Sequence, residues 1–237
     1  MTTISTTHPV RSDVVEQPAP APARRSRLWA ASGIGAGLAG IGTVVTSSGI
    51  NAIYDRSIAG QPEAILERLH TQAGWMFAFH SITVLGAILM IVFAAGLHRR
   101  LASVLPTGSA LPLVAFAGLL GTAVVSVLGT GLNTEFMLSF AAGDGLVTAS
   151  SAVMYNHWTG TIPWLWVLTG LSGVSVHLAA RARAVPRWLG LVGLVLGGLT
   201  LLVGVSPFQY LAAVPGVLWL LVTAVGFVAG DRAHRAA

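Results

Sequence analysis

The sequence predicts an all-α, polytopic membrane protein, with six transmembrane helices in three antiparallel hairpins and both termini cytoplasmic. Three observations carry this. Six apolar runs, residues 28–50, 74–97, 111–132, 158–178, 188–205 and 210–230, each come near the ~20 residues that cross ~30 Å of hydrocarbon as a helix. The 237 residues are 54% hydrophobic and 9% charged, with a mean hydropathy of +0.76, which leaves no length for a sizeable soluble domain. Arginine, finally, falls on alternate connections. Arg24, Arg25 and Arg27 precede the first run, and Arg99 and Arg100 follow the second. Arg181, Arg183 and Arg187 separate the fourth from the fifth, and Arg232 and Arg235 follow the sixth. The positive-inside rule makes all of these ends cytoplasmic. The opposite side holds only Arg56 and Arg68, against Asp55, Glu63, Glu67, Glu135 and Asp144.

The elements follow in order. Residues 1–27, rich in Thr, Pro, Ala and Arg with the run Gln17-Pro18-Ala19-Pro20-Ala21-Pro22, lack the apolar content to fold alone and read as a disordered cytoplasmic tail. Residues 28–230 form the transmembrane domain, and residues 231–237 a cytoplasmic C-terminal tail. The first run is too long for a signal-peptide core and ends in polar Thr46, Ser47, Ser48 and Asn51, so it is expected to be retained. In the connection after it, Pro62 followed by Ile65, Leu66 and Leu69 predicts a short amphipathic helix. The connection 133–157 is unusually apolar, with Phe136, Met137, Leu138 and Phe140 before Gly143-Asp144-Gly145, and is expected to pack back onto the outer face. Together these two connections form an external cap. The remaining connections are short, which makes neighbouring helices antiparallel.

Composition excludes several chemistries. There is no cysteine, hence no disulfide, thiol nucleophile or thiolate metal site, and no lysine, hence no Schiff base or Walker A loop. The formal net charge of +5 resides in arginines at the ends of apolar runs, where the natural partner is an anionic lipid bilayer and not nucleic acid. Gly35-Ala36-Gly37-Leu38-Ala39-Gly40 matches a dinucleotide-binding fingerprint in spacing only, because it lacks a preceding strand and a water-accessible helix start. The pairs Gly33/Gly37 and Gly193/Gly197 are GxxxG faces suited to close helix packing inside the bundle, with dimerisation to a homo-oligomer as the alternative.

Topology gathers a polar constellation at the external side: His80, Thr83, Asn133, Glu135, Asn156, His157 and Thr161. Two readings stand side by side. Each histidine is accounted for by a hydrogen bond in the core or at the membrane boundary. Alternatively, His80, Glu135 and His157 converge as ligands for zinc or a similar divalent metal, which activates water for hydrolysis of a lipid-like substrate. No H-E-x-x-H, G-x-S-x-G or aspartate-rich diphosphate motif accompanies them. Pro163 loosens the backbone of the fourth run, where His157 and Thr161 lie four residues apart and Trp164 shares their face.

The stretches Tyr155-Asn156-His157-Trp158-Thr159-Gly160-Thr161-Ile162-Pro163-Trp164-Leu165-Trp166 and Val185-Pro186-Arg187-Trp188-Leu189-Gly190 resemble uncharacterised six-span integral membrane proteins of GC-rich bacteria. That resemblance implies the fold and a bacterial inner membrane, and no mechanism. The expected function is non-enzymatic: binding or permeation of a small apolar ligand, or an accessory role beside a membrane partner. Charged residues within the runs, which would carry ion coupling in a transporter, are absent.

Overall fold

The computed structural model describes residues 27–143 and 145–230. The two tails, with Arg24, Arg25, Arg232 and Arg235, and Asp144 lie outside the described residues. Nine α-helices are described: α1 (Leu28–Ser48), α2 (Pro62–His70), α3 (Ala73–Ala102), α4 (Leu111–Ala142), α5 (Ala149–Thr159), α6 (Val167–Arg181), α7 (Arg187–Val192), α8 (Gly198–Val205) and α9 (Ala213–Gly230). A π-helical turn, Gly193–Gly197, joins α7 to α8 in one rod. Short 3-10 turns occupy Ala52–Tyr54, Ile162–Trp164 and Gln209–Ala212, and no strand occurs among the described residues.

Six stretches are long and apolar enough to cross a membrane: α1, α3, α4, α5 with α6, α7 through α8, and the 209–212 turn with α9. Each packs on the next in sequence, and α9 returns against α1, closing the circuit. Small residues set the spacing. On α1 the buried positions Ala30, Gly33, Ala36, Gly37, Gly40 and Thr43 recur at helical spacing. A Cβ on Gly33 would lie 2.7 Å from Ala224, one on Gly37 2.9 Å from Leu221 and one on Gly40 2.9 Å from Val217. The start of α1 therefore meets the end of α9. Hydroxyls add bonds between helices: Thr43 to Thr83 (2.9 Å), Thr122 to Thr169 (2.8 Å) and Ser172 to the carbonyl of Ala115 (2.7 Å). Such bonds satisfy groups that lipid cannot.

Both GxxxG faces are occupied within the chain. Gly193 and Gly197 meet Gly170 and Gly173 of α6 backbone to backbone, and a Cβ on Gly173 would lie 2.7 Å from the Gly197 Cα. Only glycine permits that approach.

The connection 133–157 departs from its expected form. It does not fold back as a loop: α4 continues to Ala142 and α5 begins at Ala149. The reason is local. Residues 133–142 contain neither Gly nor Pro, and Phe136, Met137 and Phe140 fall on one buried face. Gly143 then ends the helix at φ +63°, its N–H bonding the carbonyl of Ser139 at 2.9 Å. At 32 residues, α4 is about 48 Å long and so exceeds the hydrocarbon by about 18 Å.

The excess builds a second core. One apolar cluster fills the bundle around Phe93, Leu119, Val176, Trp219 and Leu220. A separate one joins Ile50, Ile65, Leu69, Met76, Phe79, Phe136, Met137, Phe140 and Tyr155 at the arginine-poor end. The helix expected at Pro62 is present as α2, with Ile65 and Leu69 buried and Glu63 and Glu67 exposed, and it packs against α5.

Candidate functional site

The arginine-poor end is organised around an interruption in the fourth span-length stretch. α5 stops at Thr159, the 3-10 turn Ile162–Trp164 follows, and α6 restarts at Val167. Pro163 accounts for the break, since it has no N–H to continue the α5 ladder, and Thr161 just before the 3-10 turn has left helical geometry at φ −124°. Three indole N–H groups then tie the broken segment down. Trp158 donates to the carbonyl of Gly129 (3.0 Å), Trp164 to the Ser47 Oγ (3.1 Å) and Trp166 to the carbonyl of Pro163 (3.0 Å). The tryptophans of this stretch are anchors as well as apolar bulk.

Beside the break lies a cleft of about 520 Å³ lined by Ser47, Ser48, Tyr54, Gly160, Thr161, Trp164, Tyr210 and Leu211. Its walls come from the end of α1, the 52–54 turn, the broken stretch and the turn before α9. Gly160 keeps it open, because a Cβ there would lie 2.6 Å from the Tyr54 hydroxyl. Aromatic rings and hydroxyls dominate the lining, with Gly160 and Leu211, and no carboxylate, imidazole or guanidinium belongs to it among the described residues. That chemistry suits a small molecule with an apolar body and one or two polar atoms, and the volume falls in the range of ligand sites, roughly 300–1,000 Å³. Its polar side chains among the described residues are hydroxyls and the Trp164 indole.

The sequence-predicted residues divide into four groups. Asn133 and Asn156 are fully buried structural ties. Asn133 Oδ1 accepts the Tyr155 hydroxyl while its Nδ2 donates to the carbonyl of Met76 (3.1 Å). Asn156 donates to the carbonyl of Ile50 (2.6 Å) and accepts from the N–H of Ile53 (3.0 Å), fixing the 52–54 turn on α5. Thr83 is likewise committed, to Thr43. His80 is half-buried on α3, with its Nδ1 enclosed and without a hydrogen-bond partner among the described residues. Glu135 and His157 are exposed. Thr161 alone of the seven lines the cleft, its hydroxyl donating to the carbonyl of His157 at 2.7 Å.

The proposed triad does not assemble. Among the described residues no group of three His, Asp or Glu side chains comes together as a metal-binding set, so His80, Glu135 and His157 do not form one. Topology places residues at one end of a bundle but does not fix which way each faces.

A second polar pair was invisible in the sequence. Gln72 accepts the N–H of Asn51 (3.1 Å) and donates to the Asn51 side chain (2.9 Å), bracing the end of α1 against the start of α3. Tyr54, Tyr210 and Leu211 carry no spacing signal either, since two connections far apart in sequence bring them to the cleft. The usable signal was the proline within a tryptophan-rich stretch facing a Thr-Ser-Ser helix end. Comparisons with protein-family models, with curated proteins and with solved structures found no match.

Proposed function

We propose that this chain is a multi-pass protein of the bacterial inner membrane, with three antiparallel hairpins and both termini cytoplasmic, that binds a small, largely apolar molecule at its external face without chemically changing it. One observation carries the reading: the cleft beside the interrupted span, walled by Tyr54, Trp164 and Tyr210 and edged with hydroxyls. Non-helical backbone at a membrane boundary is tolerated where it lines a cavity, and interrupted helices recur at small-molecule sites. The lining has no carboxylate, imidazole or thiol among the described residues, which favours binding or permeation over hydrolysis. Its depth near the interface suits an amphiphile such as an aromatic or isoprenoid alcohol.

The test exploits the absence of native cysteine. Leu211→Cys places one thiol at the cleft wall, and Thr107→Cys places a control thiol in the connection between α3 and α4. In nanodiscs, 2-naphthol should slow N-ethylmaleimide labelling of L211C saturably, by several-fold, and leave T107C unchanged. An L211C labelling rate that does not change with naphthol, or that falls in parallel with that of T107C, would refute the site.

A further inference from the structure

The arginine-rich end holds a second cleft, of about 440 Å³, between the end of α6 and the start of α7. Arg181, Arg183, Arg187 and His177 line it, with Leu191 on its apolar wall. All three arginines are exposed. The acidic residues among those described, Asp55, Glu63, Glu67 and Glu135, belong to the opposite end of the bundle. The cleft is therefore a concentration of positive charge with no carboxylate nearby among the described residues.

Two local features show that the charge is built in. Arg183 has φ +60°, the left-handed conformation that closes a helix and favours glycine. Around it, the N–H of Ala184 reaches back to the carbonyl of Ala179 (2.9 Å) and that of Arg183 to Ala180 (3.0 Å). The fold retains a long cationic side chain where glycine would be less strained. Buried Arg100, from α3, donates to the carbonyl of Ala184 at 3.1 Å and pins this turn. His177 Nδ1 lies 3.0 Å from the carbonyl of Gly190. Because a carbonyl only accepts, Nδ1 is the donor there, and Nε2 remains as the ring's other polar atom.

We propose that this cleft binds the phosphate headgroup of an anionic membrane lipid. Guanidinium forks match phosphate oxygens in shape and charge, and basic pockets between helix ends are suited to lipid headgroups. A lipid is favoured over free phosphate by the surface leading away from the cleft. Leu191 on its wall is 61% exposed and neighbouring Trp188 50% exposed, so α7 offers an apolar track for acyl chains. The inference rests on membrane insertion but on neither the external cleft nor its ligand.

The experiment is native mass spectrometry of the full chain in detergent, titrated with phosphatidylglycerol and with phosphatidylcholine of the same acyl chains. Wild type should retain phosphatidylglycerol preferentially and saturably. Removing one cation should weaken that preference about fivefold, at ~1 kcal/mol per arginine. Arg183→Gly is the decisive variant, since it relieves the left-handed strain. It should unfold at an equal or higher temperature and yet bind less phosphatidylglycerol, whereas a merely structural Arg183 would leave binding unchanged. Arg181→Gln/Arg187→Gln should lose the preference further, and Arg56→Gln at the other end should keep it. Equal retention of the two lipids by wild type, or undiminished preference in R183G and R181Q/R187Q, would overturn the proposal. Displacement of the lipid by millimolar inorganic phosphate would overturn the lipid assignment in favour of a free anion.

Discussion

The hydroxyl of Tyr155, fully buried against Phe136 with ring centroids 4.4 Å apart, is bonded to Asn133, whose amide reaches the backbone of α3. One chain of bonds thus links α5, α4 and α3 inside the cap. Tyr155→Phe leaves Asn133 Oδ1 buried without that donor, and should cost about 1–3 kcal/mol, read as a lower unfolding midpoint of the purified protein. His80→Leu makes the opposite case. Its enclosed Nδ1 has no hydrogen-bond partner among the described residues to lose, so the midpoint should hold or rise; a drop comparable with that of Y155F would show that His80 has a partner in solution. Neither outcome was legible from residue type. Asn133, Asn156 and His80 are equally conspicuous polar residues in apolar sequence, yet two are satisfied ties and one is not. Hydrogen bonding depends on facing direction, which a few degrees of helix rotation decide.

Elements were more legible than residues, because periodicity and chain breakers act locally. Pro62 opens α2 as expected, and Pro163 interrupts the fourth span-length stretch. The exception was 133–157, where apolar content was read as a loop seeking a surface. Its apolar residues share one helical face and face the cap core, so α4 simply runs on. The π turn at Gly193–Gly197 was also hidden, although the glycines that permit it were plain. Its backbone contact with Gly170 and Gly173 yields a sharp expectation. Gly173→Ala places a methyl where Gly197 already lies and should destabilise by roughly 1–3 kcal/mol, measured by thermal unfolding. Gly131→Ala, on α4 with open space at its Cβ position, should leave the midpoint unchanged or raise it.

For the whole molecule, the number of span-length stretches follows from hydropathy alone, whereas their sidedness rests on arginine counting. Single cysteines address it directly. In intact cells a membrane-impermeant maleimide should label Ala59→Cys, in the connection before α2, and should reach Thr107→Cys only after lysis. Labelling in the reverse order would invert the topology and exchange the faces of both clefts. The two clefts lie at opposite ends of the bundle and differ in chemistry: aromatic and hydroxylic where arginine is scarce, cationic where it is dense.

The separate cap core also constrains the order in which the protein is made. All of its residues fall between Ile50 and Tyr155, from the end of α1 to the middle of α5, and none comes from α6 to α9. With the arginine-poor end external, as proposed above, the cap has all of its residues once α5 has been translocated, before the final two span-length stretches are inserted. Closed on that face, the cap would then oppose backsliding of the first three spans, a ratchet assembled from soluble-style packing.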